Sequence, residues 1–148
     1  MLFRHILIPT DGSPASSKVI RAGIALAKEM GARVTGYHGV GVQPFGYYSE
    51  PVFLSQRLAA QAERAVLGAG EQYVAKIGKA ALAAKVPFDS LVARAEPTYQ
   101  GILDAARRRK CDVIVMASHG RRGFKGLLLG SVTHQVLTHS KIPVLVYR

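Results

Sequence analysis

The chain has 148 residues, 49% hydrophobic and 20% charged, which suits one globular domain and excludes a disordered chain. Its single cysteine, Cys111, excludes an internal disulfide, and the absence of a signal-like or membrane-spanning apolar run predicts a soluble, cytoplasmic protein. Twenty Lys and Arg against nine Asp and Glu give a formal net charge of +11, which favours an anionic partner.

The first half of the chain predicts two strands and two helices. Residues 3–10 form a short, partly β-branched apolar run, which is typical of a buried strand. Ser13 is a favourable N-cap and Pro14 suits a first helical position, so a helix is expected over residues 14–30. The remaining predictions are a strand over residues 34–40, a loop over 41–53, and a long helix over 55–84 with a possible interruption near Gly68 and Gly70.

The second half continues the alternation of strands and helices. The predicted elements are a strand over residues 88–94, a helix over 97–110, a strand over 112–117, a helix over 131–140 and a strand over 143–147. Such alternation implies right-handed βαβ crossovers. We therefore expect an α/β fold: a single domain, residues 1–148, with an open, mainly parallel five-stranded sheet and helices on both faces.

In sheets of this kind, ligands bind beyond the carboxyl ends of the strands, at the point where the strand order reverses. The predicted first strand is followed by Asp11, the second ends near Gly39, and the fourth ends at Ala117. These three positions are therefore where a functional site is expected.

A glycine-rich loop follows the predicted fourth strand and leads directly into a helix. Gly120 and Gly130 would allow a ligand close to the backbone, and the free N–H groups at the helix start, with the Ser131 hydroxyl, suit an anion. The loop has neither the Walker pattern nor the G-x-G-x-x-G fingerprint. The alternative is purely structural: the glycines permit turns and Ser131 caps its helix.

This loop resembles the nucleotide motif of the universal stress protein family, which runs Gly, two residues, Gly, nine residues, Gly, then Ser or Thr. Gly120, residues 121–129, Gly130 and Ser131 match that motif. The segments 6–13, 112–116 and 142–146 are similar to the first, fourth and closing strands of the family, so the resemblance covers the whole chain.

One position departs from the family motif, because Ala117 stands where the family has its first glycine. If the backbone there needs a positive φ, the Cβ costs about 1–2 kcal/mol. If φ is negative, the methyl group only narrows the site. We expect weaker binding rather than its loss.

The resemblance implies a Rossmann-like fold of the adenine nucleotide alpha hydrolase-like type and an ATP-binding protein of the stress response. It implies that ATP, accompanied by Mg²⁺ or Mn²⁺, is held without dedicated metal-ligating residues. The implied nucleotide-binding residues are Pro9, Thr10, Asp11, Gly39, Val40, Met116, Ala117, His119, Gly120, Arg121, Gly130, Ser131 and Val132. The closing strand, from Pro143 to Tyr147, ends the sheet, and an edge strand of this kind predicts a homodimer.

Several of these residues have alternative interpretations. Asp11 could contact the adenosine end of the nucleotide, organise the entry to the first helix as an Asx-turn, or do both. His119 is interpreted as a loop histidine near the phosphates rather than a base, and Arg121 as a phosphate contact or a solvated side chain. His38, on a predicted strand, is expected to be packed or hydrogen-bonded rather than to bind metal.

Three functions remain open at this stage. The favoured one is a protein that acts by binding ATP. A slow ATPase is the second, although no carboxylate lies between Asp112 and Arg148 to serve as a base or metal ligand. The third, a basic domain that binds nucleic acid or an anionic surface, rests on the net charge. The densest basic run, 107–110, is interpreted as a helix C-terminus rather than a nucleic-acid or lipid patch, and nucleic acid is not the expected partner.

Overall fold

The computed structural model describes residues 2–41, 52–120 and 129–148, with the backbone alone for residues 52–55. The strands are β1 (His5–Pro9), β2 (Arg33–Val40), β3 (Phe88–Arg94), β4 (Val113–Ala117) and β5 (Val144–Tyr147), and the helices are α1 (Pro14–Met30), α2 (Val52–Ala84), α3 (Thr98–Arg108) and α4 (Ser131–His139). Strands and helices alternate as the sequence predicts, and most observed bounds lie within one or two residues of the predicted ones.

All five strands lie in one parallel sheet with the order β3-β2-β1-β4-β5. The chain moves outward from β1 through β2 to β3, and then returns to the other side of β1 to form β4 and β5. The strand order therefore reverses between β1 and β4, which places the expected ligand crevice at the carboxyl ends of these two strands. The predicted open α/β fold is confirmed.

Each face of the sheet carries its own apolar core. Residues of β1 alternate between the faces, so that Ile6 and Ile8 pack with α1 and α2 while Leu7 packs with α3 and α4. Ile6, Leu7, Ile8 and Ile114 have no exposed surface. Burial on both sides explains why the central strands read as continuous apolar runs in the sequence.

The predicted interruption of α2 is wrong, because the helix continues from Val52 to Ala84. It also begins three residues earlier than expected and takes in the end of the predicted loop. A Cβ added at Gly68 would have nothing within 4 Å, whereas a Cβ at Gly70 would lie 2.8 Å from the His38 ring. Gly70 therefore lets the helix approach the sheet closely without breaking it, and packing outweighs the low helix propensity of glycine.

Candidate functional site

The chain after β1 forms a tight turn organised by its own side chains. The Asp11 carboxylate accepts hydrogen bonds through Oδ1 from the Ser13 amide at 2.9 Å and the Ser16 hydroxyl at 3.1 Å, and the Thr10 hydroxyl accepts the Gly12 amide at 3.1 Å. The Asx-turn expected at Asp11 is thus present. It fixes the carboxylate at the carboxyl end of β1, directly before α1.

The turn after β1 and the loop after β4 meet at the Asp11 carboxylate. A Cβ built on Gly120 would lie 2.6 Å from Asp11 Oδ2, closer than side chains pack. Gly120 does not have a positive φ, so what it supplies is space next to the carboxylate. The structural alternative, that this glycine merely permits a turn, does not explain this contact.

The start of α4 is held against the end of β4. The Gly130 amide donates to the Ser118 carbonyl at 2.7 Å, and the Thr133 hydroxyl donates to the Ala117 carbonyl at 2.8 Å. A Cβ on Gly130 would lie 3.2 Å from the Ser118 carbonyl oxygen and 3.8 Å from the Gly120 amide nitrogen. The backbone amides of the β4 loop and of the α4 start therefore lie side by side.

The first turn of α4 has the features of a helix start that can bind an anion. Gly130 is the N-cap, no side chain within residues 2–41, 52–120 and 129–148 caps the helix, and the first turn carries no acidic residue. The amides of Ser131, Val132 and Thr133 have no acceptor within the helix, as at every helix start, and they carry the positive end of its dipole. Ser131 is the first residue of the helix and not its N-cap, so its hydroxyl does not serve as the cap. The geometry is that of helix starts which bind phosphate groups.

Ala117 causes no backbone strain. It is the last residue of β4, where it is paired with Tyr147 of β5, and its φ is not positive. The Cβ therefore costs none of the 1–2 kcal/mol that a left-handed conformation would require. Of the two possibilities left open by the sequence, the structure shows the one in which φ is not positive.

The end of β2 adjoins the end of β1. His38 Nδ1 donates to the Thr10 carbonyl at 2.8 Å, and its ring meets Tyr73 edge-on with 5.1 Å between centroids. His38 is thus packed and hydrogen-bonded, as predicted. A Cβ built on Gly39 would lie 2.9 Å from the Tyr37 hydroxyl oxygen. The Val40 carbonyl accepts a hydrogen bond from the Ala95 amide at 3.0 Å.

A cavity of about 320 Å³ lies where the ends of β4 and β5 face the start of α1. Its lining residues are Pro14, Ala15, Lys18, Ala117, Ser118, His119, Tyr147 and Arg148. It includes the predicted Ala117 and His119 but not the predicted glycines. Lys18 brings a cation to this side of the loop. Sequence patterns did not single out Lys18, in the second turn of α1, or Thr133, in the first turn of α4.

The structure brings most of the predicted residues to one edge of the sheet, in the loops and helix start around β1, β2 and β4. Met116 differs from the rest, because it is 5% exposed and its side chain packs into the core with α3, so only its backbone reaches the edge. Arg121 lies outside the described residues. The Ser118 hydroxyl lies 3.0 Å from His119 Nδ1, which helps to orient that ring.

Within residues 2–41, 52–120 and 129–148, no group of three or more His, Cys, Asp or Glu side chains could hold a metal ion. The Asp11 carboxylate at the site already accepts two hydrogen bonds through Oδ1. This part of the chain therefore does not fit a dedicated metal centre. A divalent cation here would depend on oxygens that a ligand brings with it.

A parallel sheet with an open helix N-terminus at its switch point defines a class of α/β proteins suited to phosphate-bearing ligands. The sequence matches the universal stress protein family over residues 2–148, and the chain belongs to that family. A relative in Methanocaldococcus jannaschii, universal stress protein MJ0531, is 32% identical over 150 residues, covering 99% of this chain and 83% of its own.

Solved structures share the fold. The structure of the hypothetical protein MJ0577 superposes with a TM-score of 0.81 at 23% identity, covering 99% of this chain and 96% of its own. A universal stress protein in complex with cAMP gives 0.73 at 19% identity, covering 100% and 99%. One from Archaeoglobus fulgidus in complex with dAMP gives 0.57 at 17% identity and covers 100% of both chains. Structural relatives of this chain thus bind adenine nucleotides.

Proposed function

We propose that this chain is an ATP-binding universal stress protein that regulates a stress response through occupancy of its nucleotide site. The family membership and the adenine nucleotides in structural relatives support this function. The observation that carries the proposal is the start of α4, whose N-cap Gly130 has no side chain and lies beside the Gly120 amide, while Gly120 in turn adjoins the Asp11 carboxylate. A triphosphate is the adenine-nucleotide group best able to use several such amides together.

In this proposal the phosphates accept the amides of Gly120, Ser131 and Val132 and pass close to the Cα of Gly130, whose own amide is donated to the Ser118 carbonyl. The adenosine end lies towards Asp11 and the end of β2, where Gly39 and Val40 offer main-chain groups to the adenine edge. Pro9, Thr10, Met116, Ala117 and His119 line the ends of β1 and β4 between these two regions, and Arg121 is a further candidate phosphate contact.

The proposed ligand includes Mg²⁺ or Mn²⁺, held by phosphate oxygens and water rather than by a cluster of side chains. Rapid hydrolysis needs a positioned water and a base or metal-ligating carboxylate. The sequence has no Asp or Glu after Asp112, and at the site the Asp11 carboxylate is already held through Oδ1 by the Ser13 amide and the Ser16 hydroxyl. We therefore assign the chain a binding role, with at most slow ATP hydrolysis.

The proposed assembly is a homodimer through β5, with residues 1–148 acting as one cytoplasmic domain. β5 lies at the edge of the sheet, with β4 on its inner side, and Leu145 and Tyr147 are 39% and 40% exposed. An apolar edge strand exposes both backbone groups and side chains to a second copy. In the described part of the chain, the helices are too short or too polar to cross a membrane.

Mass spectrometry of the small molecules released from freshly purified, denatured protein tests the nucleotide proposal. We expect ATP or a close relative, and calorimetric titration of the stripped protein should give tighter binding for ATP than for GTP. Release of no nucleotide together with no heat on titration would refute the proposal. A turnover near the enzyme median of about 10 per second would refute the binding-only role.

Light scattering after size exclusion tests the dimer. Leu145→Lys places a charge on the proposed interface and leaves the half-buried face of β5 unchanged, so it should convert a dimer to a monomer. Leu137→Lys is a matched control, because Leu137 of α4 is similarly exposed at 40% and lies outside β5. A wild-type monomer, or an equal effect of both variants, would contradict the interface.

A further inference from the structure

The edge of the sheet opposite the proposed nucleotide site is strongly basic. Because all five strands are parallel, their first residues lie along one edge, which we call the amino edge. A basic residue stands at the start of each strand or up to three residues before it: Arg4, Arg33, Lys85, Lys110 and Lys141 in the order β1 to β5. All five are exposed. These five residues, here called the basic row, are distributed along five strand starts that together span about 19 Å, because neighbouring strands lie about 4.8 Å apart.

Few acidic groups offset this row. Asp89 is paired with the Arg109 guanidinium at 2.7 Å, and the Asp112 carboxylate accepts the Arg4 amide at 2.8 Å and the His5 amide at 3.1 Å. Glu29, near the end of α1, is the remaining carboxylate at the described amino edge. The amino edge therefore keeps a net positive charge.

Two of the basic residues occupy backbone positions that normally favour glycine. Lys85 and Lys110 follow the ends of α2 and α3 with φ of 60° and 54°, and the equivalent position after α1 is Gly31 with φ of 63°. The left-handed conformation disfavours a residue with a Cβ. Cations can complement a helix C-terminus, but α1 and α3 already carry Lys28, Arg107 and Arg108 in their last turns.

Exposed leucines accompany the charges. Leu2 is 77% exposed and Leu82 is 79% exposed, more than any other large apolar side chain in the described residues. Leu2 precedes β1, and Leu82 lies in the last turn of α2, three residues before Lys85, so both belong to the amino edge. Basic groups with projecting leucines are the combination found where proteins lie on lipid bilayers.

We propose that the amino edge is a docking surface for an anionic lipid bilayer. The basic row contacts acidic headgroups, and Leu2 and Leu82 enter the interface between headgroups and acyl chains. A bilayer fits better than nucleic acid because leucines gain nothing from phosphate backbones, and nucleic-acid surfaces typically offer aromatic or base-reading groups instead. The nucleotide site lies at the other end of the strands, about 17 Å away along β1, so both surfaces can be occupied at once.

Co-sedimentation with vesicles tests this surface in the intact chain. Wild-type protein should bind vesicles containing about one third phosphatidylglycerol far more tightly than pure phosphatidylcholine vesicles, and added salt should weaken that binding. The triple variant Lys85→Gln, Lys110→Gln, Lys141→Gln should lose roughly a hundredfold in affinity, at about fivefold for each lysine. Leu2→Ser with Leu82→Ser should lose roughly tenfold, including at high salt.

A matched control separates this surface from net charge. Arg21→Gln, Arg57→Gln and Arg64→Gln remove the same charge from exposed positions on α1 and α2 away from the amino edge, and should change binding only a few fold. If the Lys→Gln variant unfolds, Lys85→Gly with Lys110→Gly removes two charges while relieving the left-handed strain.

Equal binding to both vesicle types, or equal losses in the two triple variants, would overturn the docking surface. Binding of a DNA duplex that the Lys→Gln variant abolishes, with no binding to vesicles, would overturn it in favour of nucleic acid. Nucleotide affinity should be unchanged in the amino-edge variants, so failure here leaves the proposed ATP site unaffected.

Discussion

Replacing Gly130 by Asp should weaken ATP binding at the start of α4 while leaving the stability of the fold nearly unchanged. Gly130 is the N-cap of α4, and Asp is among the best N-cap residues, so the helix itself should gain a few tenths of a kcal/mol. The new Cβ would lie 3.2 Å from the Ser118 carbonyl, which requires a shift of a few tenths of an ångström. The two effects oppose each other, and the melting temperature should stay within a few degrees of wild type.

Binding of ATP should respond quite differently. In the wild-type protein the phosphate oxygens use the amides at the start of α4, and the carboxylate introduced by Gly130→Asp would occupy the same place. Two unit charges about 4 Å apart at an effective dielectric of about 20 interact with about 4 kcal/mol. Since each 1.4 kcal/mol is about tenfold, Gly130→Asp should weaken ATP binding roughly a thousandfold.

Gly130→Asn provides the matched control, because Asn has nearly the same size and also caps helices well but has no charge. It should weaken binding only about tenfold, by competing for one amide. Calorimetric titration with ATP and thermal unfolding of the three proteins give both quantities. Unchanged ATP affinity in Gly130→Asp would refute the placement of the phosphates, and equal losses in the two variants would show that space rather than charge is responsible.

Three further predictions concern single positions. Gly120→Ala should weaken ATP binding and lower the free energy of unfolding by about 1–2 kcal/mol, because its Cβ displaces the Asp11 carboxylate. Urea titrations with and without ATP measure both effects, and unchanged stability and affinity would contradict this contact. Ala117→Gly should change ATP affinity less than tenfold and cost about 0.5–1 kcal/mol of stability, since the native backbone is an unstrained strand, and a large gain in affinity would contradict the structure. Burial, reinforced by Arg33 and opposed by Asp112, lowers the pKa of His5 below 6.5. The unfolded chain therefore binds the proton more readily, and the free energy of unfolding should fall as the pH drops from 6.5 towards the lower pKa of the folded state. Urea titrations across that pH range should show the fall in wild type and a smaller one in His5→Gln.

Sequence patterns predicted the architecture because the strands are buried on both faces and the helices begin with clear signals. The run Ile6, Leu7 and Ile8 has no exposed surface, which is why it reads as a continuous apolar segment. The signals are local, and each lies within one element. Where a long-range contact decides the outcome, as at Gly70 against His38, the same patterns wrongly predicted an interruption in the helix.

The sequence indicated which loops should form the candidate site, but not which contacts its residues make. The glycine spacing predicted that Gly120 and Gly130 matter, yet it could not show that they serve close approach rather than positive φ. That distinction depends on Asp11, which follows β1 and lies beside Gly120, and on Ser118, which lies at the other end of the loop from Gly130. Thr133 was not singled out for the same reason, because its hydroxyl donates a hydrogen bond to the Ala117 carbonyl, 16 residues away in the sequence.

The amide resonances of α4 test the central proposal most directly. In a titration of isotopically labelled protein with ATP, the amides of Gly120, Ser131 and Val132 should shift strongly, and those of Asp11 and Gly39 should move with the same affinity. If saturating ATP shifts no amide resonance of α4, or shifts only resonances elsewhere in the chain, the proposed binding of the phosphates by these amides is contradicted.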